Sequence, residues 1–329
     1  MSKHIWDVII VGGGSAGLSA ALTLGRCRRS VLVCDVGQPR NRASKSMHCF
    51  ISRDGANPAE FLRMAREQLR SYASVQVREA LVLDIKRHND GFHVELHDGQ
   101  TEICRKLLLA TGVVDHLPPI AGVEQFYGIS VHHCPYCDGW ETRNQAIAVY
   151  GKRRRGFEMA RAMTAWTRDI VLCTDGAARL SATQRTHLQR NGISIVQERI
   201  ERLDGTGGKL REIVFRTGRR LKRSALFFDT PSSGQSKLAQ ALGCQFAGHG
   251  GVKCGQYEAT TVPGVFVAGN IIKDVQLVIV AAAEGTRAGF GINRALTRED
   301  FERRATGSRR IEHPSLEDPD MQRRRRKHA

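Results

Sequence analysis

Short apolar runs separated by glycines and turn residues mark the beginning of this chain. A strand is predicted over residues 7–11, followed by a glycine turn, a helix over 16–24 and a second strand over 31–35. Strand, glycine turn, helix and strand in this order are typical of a nucleotide-binding α/β fold. The first segment is therefore predicted to form the opening βαβ unit of such a domain.

A helix and an antiparallel meander are predicted next. Capping signals begin the helix, which we predict over 57–72. Turn dipeptides at Asp90-Gly91 and Asp98-Gly99 separate runs with alternating apolar residues. These runs are the predicted strands 81–87, 92–97 and 103–110.

The same order of elements recurs in the middle of the chain. The second series is predicted to comprise a strand over 146–150, a loop over 151–156, a helix to about residue 166, a strand over 170–173 and a meander over about 193–228. We therefore predict two Rossmann-like, three-layer α/β domains in tandem, each with an antiparallel β-meander, in preference to one longer sheet.

The last part of the chain contains one further apolar block and a charged tail. A buried strand over 265–268 and a long helix are predicted within 263–296, although periodicity does not indicate which strand the first one pairs with. Charged and proline-containing residues follow, so we predict a disordered basic tail over 301–329.

Composition limits the possible function classes. The chain has 329 residues, 41% hydrophobic and 6% aromatic, with a formal net charge of +17. This charge could steer acidic partners or support loose nucleic-acid binding. A solvated, arginine-rich surface is the interpretation we favour, because no aromatic residues interleave with the basic ones to form a nucleic-acid face. We predict no nucleic-acid partner.

The apolar segments and the cysteines suggest a cytoplasmic protein. The N-terminal apolar stretch is too short for a signal-peptide core, and the longest internal candidate for a membrane span, 275–283, stops at Glu284. Seven of the nine cysteines show no pairing pattern and are interpreted as small buried residues of a reducing compartment. No membrane association is predicted.

A glycine loop after the first strand predicts a dinucleotide site. Gly12 suits the tight turn, Gly14 lets the backbone approach a pyrophosphate, and Gly17 permits close helix packing. The helix N-terminus at Ser15 and Ala16 offers N–H groups to the phosphates. Asp35, about 20 residues further on at the end of the next strand, can accept ribose hydroxyls. Together these features predict binding of an adenine dinucleotide.

The close cysteine pair Cys134 and Cys137 is the predicted chemical centre. Two cysteines at this spacing can close a tight disulfide whose thiolate is reactive, and Asp138 can exchange a proton when the disulfide opens. The alternative is half of a zinc site with the adjacent His133. A closed zinc site needs four ligands, and no second C-x-x-C is present. We therefore favour redox use and predict no metal.

Four motifs together make the chain resemble low-molecular-weight thioredoxin reductases, within the FAD-dependent pyridine nucleotide-disulfide oxidoreductases. They are the loop 12–17, Ala110-Thr111-Gly112, the segment 134–139, and 261–270. The resemblance implies an FAD-binding domain built from both chain ends, 1–115 and 248–300. It also implies an inserted NAD(P)H-type domain over 116–247 that carries the cysteine pair.

The resemblance also implies roles for individual residues. Cys137 would lie nearest the flavin, Cys134 would attack the partner disulfide, and Asp138 would handle the proton. Further residues would contact or line the FAD: Arg40, Asn41, Thr111, Gly112, Gly269, Asn270 and Gln276.

Several positions depart from the family pattern. Asn270 stands where relatives usually carry Asp, and Cys49 where they commonly carry Asn. Gly151 and Gly156 are candidates for contacting NAD(P)H, but Arg153 replaces the glycine between them that would let the backbone reach a pyrophosphate. The basic residues that hold a 2′-phosphate in relatives are replaced by 173–176, Cys-Thr-Asp-Gly. FAD binding is therefore expected, whereas the sequence leaves the use of NADPH or NADH open.

Three functions remain open from the sequence. The first is a disulfide reductase fed by a pyridine nucleotide, acting on a thioredoxin-like protein or a small-molecule disulfide. The second is a flavin dithiol oxidase that does not use NADPH, which the altered second loop favours. The third is a non-catalytic FAD-binding redox sensor, which the intact cysteine pair argues against. The resemblance also suggests a homodimer.

Overall fold

The computed structural model describes residues 4–88, 91–229, 232–234 and 237–306. The chain forms two compact units. Unit 1 comprises residues 1–39, 62–113 and 234–329, and unit 2 comprises 40–61 and 114–233. The division differs from the predicted domain limits, because 40–61 group with unit 2 and 234–247 with unit 1.

Unit 1 is built on one seven-stranded sheet. Its elements are β1 (Ile5–Val11), α1 (Ser15–Arg26), β2 (Val31–Asp35), β3 (Val75–Glu79), β4 (Val82–His88), β5 (Gly91–Leu96), β6 (Thr101–Leu109), α7 (Lys237–Ala241), β17 (Val265–Val267) and α8 (Val278–Ala305), with short 3₁₀ turns at Gln256–Glu258 and Asn270–Ile272. Helix α2 (Pro58–Leu69) crosses the boundary between the two units.

The sheet of unit 1 is parallel at one end and antiparallel at the other. Its order is β3-β2-β1-β6-β5-β4, and β17 also pairs with β6 in parallel, with Val265 opposite Leu107. Strands β4, β5 and β6 form the predicted meander. On one face Ile9 and Val11 pack with the buried residues of the meander, whereas on the other face α1 packs on β1 and β2 and against α8.

Unit 2 contains a five-stranded parallel sheet and a three-stranded antiparallel sheet. The elements of the unit are α3 (Val123–Phe126), β8 (Val131–His132), α4 (Pro135–Asp138), β9 (Ile147–Tyr150), α5 (Arg153–Met163), β10 (Ile170–Cys173), α6 (Ala182–Arg190), β11 (Ser194–Val196), β12 (Ile200–Thr206), β13 (Lys209–Phe215), β14 (Arg220–Lys222) and β15 (Ala225–Phe228). The parallel sheet has the order β11-β10-β9-β15-β8. The chain passes between the units at β7 (Val113–Asp115) and β16 (Ser232–Gly234).

The three layers of unit 2 follow from the alternation of side chains along β9. Ile147 and Val149 pack with Phe157 of α5, whereas Ala148 between them packs with Ile213 and other residues of the meander. Successive side chains of a strand point to opposite faces, so an apolar run buried on both faces requires a layer on each side. The predicted three-layer α/β arrangement is therefore present in this unit.

Three sequence predictions were wrong in extent. The meander was predicted over 193–228, but β11 and β15 join the parallel sheet; all four residues of β15 are buried, as in a central parallel strand. The loop predicted over 151–156 is helical from Arg153. The tail limit predicted at 301 was wrong, because α8 continues to Ala305; the rest of the predicted tail, 307–329, lies outside the described residues, as does Asp90 of a predicted turn.

A buried ion-pair network holds the C-terminal part of α8 to the sheet. Arg105 is only 6% exposed and lies 2.9 Å from Asp7, 2.7 Å from Asp300 and 3.1 Å from Glu299. Lys106 also pairs with Glu299. Removing one member of such a network costs stability, because its buried partners lose an ion-pair contact.

We expect Arg105→Ala to lower the free energy of unfolding by about 3–5 kcal/mol, because it removes the buried guanidinium that pairs with the buried Asp7 carboxylate. Urea denaturation followed by tryptophan fluorescence measures this change. Arg298→Ala is the control, since it removes an exposed arginine that pairs with Glu302 in the same helix, and it should leave the transition unchanged. Equal effects of the two variants would contradict the assigned role of the network.

Candidate active site

The cysteine pair occupies a single tight turn of unit 2. A disulfide joins Cys134 and Cys137. Cys134 is the N-cap of α4, and its sulfur accepts a hydrogen bond from the backbone N–H of Cys137 at 3.1 Å. Its carbonyl oxygen accepts from the N–H of Asp138 at 3.2 Å. The sulfurs and the carboxylate predicted to exchange the proton therefore belong to one turn.

Two neighbouring residues explain why the chain makes this turn here. Pro135 occupies the first helical position, where its fixed φ suits a helix and its missing N–H is not needed. Gly139 ends the turn, and a Cβ at this position would lie 2.7 Å from the ring of Trp166. A glycine is thus required where the chain leaves the cysteine turn.

The adjacent histidines take part in different contacts. Nδ1 of His132 lies 3.1 Å from Oδ1 of Asp138. Nδ1 of His133 lies 3.2 Å from the hydroxyl of Tyr127, and its Nε2 lies 3.8 Å from Asp115. One histidine therefore contacts the cysteine turn, and the other belongs to a separate cluster.

This second cluster contains a partly buried ion pair, in which the side chains of Arg40 and Asp115 are 17% and 9% exposed. Arg40 donates two hydrogen bonds to the carboxylate of Asp115, at 2.7 and 2.6 Å, and Tyr127 donates a third at 3.1 Å. Burial opposes ionisation of Asp115, but the hydrogen bonds and the charge of Arg40 together lower its pKa. Burial lowers the pKa of His133 and raises that of Tyr127. At neutral pH the cluster therefore holds an ionised Asp115 and a neutral imidazole.

The surface beside the cysteine turn exposes aromatic side chains and a thiol. Tyr136, between the two cysteines, is 71% exposed, and Trp140 is 65% exposed beneath the guanidinium of Arg143. The thiol of Cys49, in unit 2, donates to the carbonyl oxygen of Tyr136 at 3.4 Å. The residue that departs from the family pattern at position 49 thus contacts the cysteine turn directly.

The first glycine loop has the geometry predicted from its sequence. Gly12 has φ +108°, and a Cβ there would overlap the carbonyl oxygen of Ala110. A Cβ on Gly17 would overlap the carbonyl oxygen of Gly12. In contrast, no protein atom lies within 4 Å of a Cβ placed on Gly14. Two glycines therefore allow the turn to close, and the third leaves open space at the N-terminus of α1.

The carboxylate of Asp35 lies beside this loop. Its Oδ1 accepts a hydrogen bond from the backbone N–H of Gly13 at 3.0 Å, and its Oδ2 lies 2.6 Å from Arg66. Arg66 was not predicted, because a helical arginine in an amphipathic pattern carries no distinctive signal. The carboxylate predicted for the ribose is thus fixed at the end of β2.

The last block of the chain lies against the same loop. Gly269 has φ +80°, and a Cβ there would lie 3.0 Å from the side chain of Ala16. Its N–H donates to the carboxylate of Glu284 at 2.7 Å. Burial raises the pKa of Glu284 to about 7, although the hydrogen bond from Gly269 opposes the shift. The C-terminal segment around Gly269 therefore lies against the start of α1, next to the first glycine loop.

The other predicted cofactor residues are distributed over both units. Thr111 follows β6 beside Gly12, since its backbone nitrogen would lie 3.2 Å from a Cβ on that glycine. In unit 1, Gly112 has φ +64°, and Asn270 begins the 3₁₀ turn that precedes Gln276 and α8. Arg40 and Asn41 fall in unit 2, so their predicted contact with the cofactor stays a prediction.

The second glycine loop packs differently. Gly151 and Gly156 contact each other, since a Cβ on Gly151 would lie 2.7 Å from the Cα of Gly156. Arg153 has φ +55°, and its N–H donates to the carbonyl oxygen of Ala178 at 2.9 Å. The carboxylate of Asp175 accepts from the N–H of Ile200 at 2.8 Å. The two glycines of this loop therefore pack against each other, and the backbone N–H of Arg153 already donates a hydrogen bond within the protein.

The comparisons with known proteins identify the family. A model described as pyridine nucleotide-disulphide oxidoreductase matches residues 6–285. The chain belongs to this family. Thioredoxin reductase tcpT of Claviceps purpurea (strain 20.1) is 33% identical over 283 residues, which cover 82% of this chain and 87% of the relative.

Solved structures of relatives have the same fold. The putative thioredoxin reductase TrxB from Bacillus anthracis matches with a TM-score of 0.86 and 31% identity, covering 90% of this chain and 100% of that one. HlmI matches with a TM-score of 0.90 and 31% identity, covering 93% and 98%. These similarities confirm the predicted two-domain Rossmann-like fold of a thioredoxin reductase-like pyridine nucleotide-disulfide oxidoreductase.

The family membership also confirms the predicted enzyme class and the flavin cofactor. The chain is an FAD-dependent disulfide oxidoreductase. Three features of unit 1 fit a bound FAD: the tight first glycine loop, the open space at Gly14, and the carboxylate of Asp35, which is held beside the loop. Among the described residues no helix is long and apolar enough to cross a membrane, and no group of three or more potential ligands could hold a metal.

For this pyridine nucleotide-disulfide oxidoreductase, we expect slow flavin reduction by NADPH and only a weak preference for NADPH over NADH. Arg153→Gly should strengthen NADPH binding about tenfold, because a glycine suits the positive φ and removes the side chain next to the pyrophosphate position. Anaerobic stopped-flow reduction at a series of nucleotide concentrations measures both quantities.

Arg154→Gly is the matched control, because the side chain of Arg154 is 86% exposed and lies one residue further into α5. Rapid and saturable reduction of the unmodified enzyme by micromolar NADPH would contradict the prediction. So would an Arg153→Gly variant that binds NADPH no better than Arg154→Gly.

Proposed function

We propose that this enzyme exchanges electrons between FAD and the Cys134–Cys137 disulfide, and between that disulfide and an external thiol or disulfide. The observation that carries the proposal is the cysteine turn itself, in which a closed disulfide and the Asp138 carboxylate share one turn. FAD, when bound, supplies the two-electron chemistry that opens or closes this disulfide.

In the direction of dithiol oxidation, a substrate thiolate attacks Cys134 and breaks the Cys134–Cys137 bond, which leaves a mixed disulfide and a thiolate on Cys137. The second substrate thiol then displaces Cys134, releasing the substrate disulfide. The cysteine pair takes up two electrons, and Asp138 exchanges a proton with it. The reverse sequence reduces an external disulfide.

The exposure of the cysteine turn supports access by an external substrate. Tyr136 is 71% exposed, and the neighbouring Trp140 is 65% exposed. Aromatic side chains provide large contact areas for either a protein or a planar small molecule. We therefore propose a thioredoxin-like protein or a small-molecule dithiol or disulfide as the substrate.

A flavin dithiol oxidase is the second candidate function. The geometry of Arg153 favours it, because the backbone N–H at the second-glycine position already bonds to Ala178. The electrons would then enter from a dithiol and leave to oxygen or another acceptor. Reduction of the flavin by a dithiol faster than by NADPH would distinguish this function from that of a nucleotide-fed reductase.

The proposal also covers the compartment, the oligomeric state and the FAD contacts of the enzyme. The seven cysteines outside the pair, all among the described residues, form no disulfide, which suits a reducing cytoplasm. The prediction that they are buried was wrong for Cys27 and Cys49, which are exposed. A homodimer is proposed from the family resemblance. The residues proposed to contact FAD are those of the first loop, Asp35 and the Gly269-Asn270 block.

We expect the purified enzyme to be yellow and to release FAD on denaturation. Gly14→Ala should retain much less FAD, because its methyl group would enter open space that the pyrophosphate needs while touching no protein atom. Gly248→Ala is the control, since a Cβ there also meets no protein atom. Flavin content per chain measures the effect, and equal retention by both variants would contradict the proposed cofactor position.

We expect Cys134→Ser to show a long-wavelength charge-transfer band in the flavin absorbance, because it leaves a thiolate on Cys137, the cysteine proposed to lie nearest the flavin. Cys137→Ser should lack the band, and both variants should lose turnover. Absorbance spectra across a pH series provide the measurement. Identical spectra of the two variants would show that the proposed roles of the cysteines are wrong.

A further inference from the structure

The two residues that flank the cysteine turn contact each other across it. His132 precedes the disulfide and Asp138 follows it, and their Nδ1 and Oδ1 atoms lie 3.1 Å apart. The side chain of His132 is 6% exposed, and that of Asp138 is 22% exposed. A nearly buried imidazole therefore lies against the carboxylate that the proposed function uses for proton exchange.

The imidazole is held by the parallel sheet of unit 2. His132 is the last residue of β8, which pairs with β15 so that His132 lies opposite Phe227. The two rings lie 5.3 Å apart, and Phe227 is fully buried. A side chain fixed in this way on a strand can position a neighbouring group more accurately than a loop residue can.

Asp138 has less support of its own. Its backbone is tied to the cysteine turn through the carbonyl oxygen of Cys134, and its carbonyl oxygen accepts from Thr142 at 3.3 Å. Its carboxylate lies at the end of a four-residue helix and is partly exposed. The backbone alone therefore does not determine where the carboxylate points, whereas the contact with His132 does.

The neighbouring histidine does not share this role. His133 faces Tyr127 and Asp115, in the cluster that also contains Arg40. Side chains of consecutive residues in an extended segment point in opposite directions, so only His132 is directed toward the end of the cysteine turn. The pair of histidines thus separates into one contact with Asp138 and one buried cluster.

We propose that His132 is a positioning residue for Asp138, whose imidazole holds the carboxylate where it exchanges a proton with the Cys134–Cys137 pair. The inference rests on the proposed function of that pair. It assigns His132 a role through Asp138 and not through contact with the substrate. General acid–base groups contribute roughly 10²–10⁴-fold to rates, so misplacing one is expected to cost part of that factor.

A double-mutant cycle with His132→Phe and Asp138→Asn tests the inference, since phenylalanine keeps a ring against Phe227 and removes both nitrogens. For anaerobic flavin reduction by dithiothreitol, we expect His132→Phe to lower the maximal rate about tenfold, with the half-saturating concentration changed by less than about twofold. In the Asp138→Asn background the same substitution should cost nothing further. Losses that multiply in the double variant would overturn the proposal.

A second measurement requires no turnover. Iodoacetamide should alkylate the reduced cysteine pair about three- to tenfold more slowly in His132→Phe than in the unmodified enzyme, because a displaced Asp138 carboxylate accepts the thiol proton less well and leaves a smaller fraction of reactive thiolate. His132→Asn, which keeps an N–H donor near the position of Nδ1, should remain within about threefold of the unmodified enzyme. A His132→Asn variant as slow as His132→Phe, or a His132→Phe variant as fast as the unmodified enzyme, would contradict the role of Nδ1.

The control variant is His187→Phe, because His187 lies in the same unit with its ring 6.4 Å from that of Phe157. It should change neither measurement. Failure of the proposed function gives a different result, namely an unmodified enzyme that dithiothreitol does not reduce, or a Cys134→Ser variant that keeps turnover. The alkylation rates test His132 in that case as well.

Discussion

Close approach of backbone to backbone at the start of α1 is the constraint on which unit 1 depends. A Cβ on Gly285 of α8 would overlap the carbonyl oxygen of Ala16, and a Cβ on Gly17 would overlap that of Gly12. These contacts require glycine, since any side chain would push the elements apart. They bring the last block of the chain to the first loop, and the proposed FAD site exists only because both chain ends meet there.

Unit 2 also has a glycine loop between a strand and a helix, but the geometry of this loop differs from that of the first loop. Gly151 and Gly156 contact each other, as the close packing of strand and helix in this motif requires. Arg153 lies between them with a positive φ, and its N–H bonds to Ala178. The packing role of the motif is therefore preserved, while the surface that would accept a pyrophosphate is changed. One residue thus separates the structural use of the motif from its use in binding.

Charge is organised around the cysteine turn in two ways. The cluster of Asp115, Arg40, Tyr127 and His133 combines an ion pair with a neutral imidazole, because burial lowers the pKa of His133 while the hydrogen bonds of Arg40 favour the ionised carboxylate. His132 and Asp138 form a smaller contact at the ends of the turn itself. The disulfide is thereby bordered by groups that can accept or donate protons.

Local pattern alone determined much of this protein: the strand 31–35 has the predicted limits, and the first glycine loop and the cysteine pair were recognised from spacing. These features depend on short-range geometry, which a sequence carries directly. The tertiary structure alone decided that β15 lies beside β9 in a parallel sheet, that Asp115 pairs with Arg40, and that His132 reaches Asp138. The first of these depends on the order of strands in a sheet, which apolar periodicity does not encode because every buried strand presents the same pattern. The other two depend on the direction of polar side chains, which residue spacing alone does not determine.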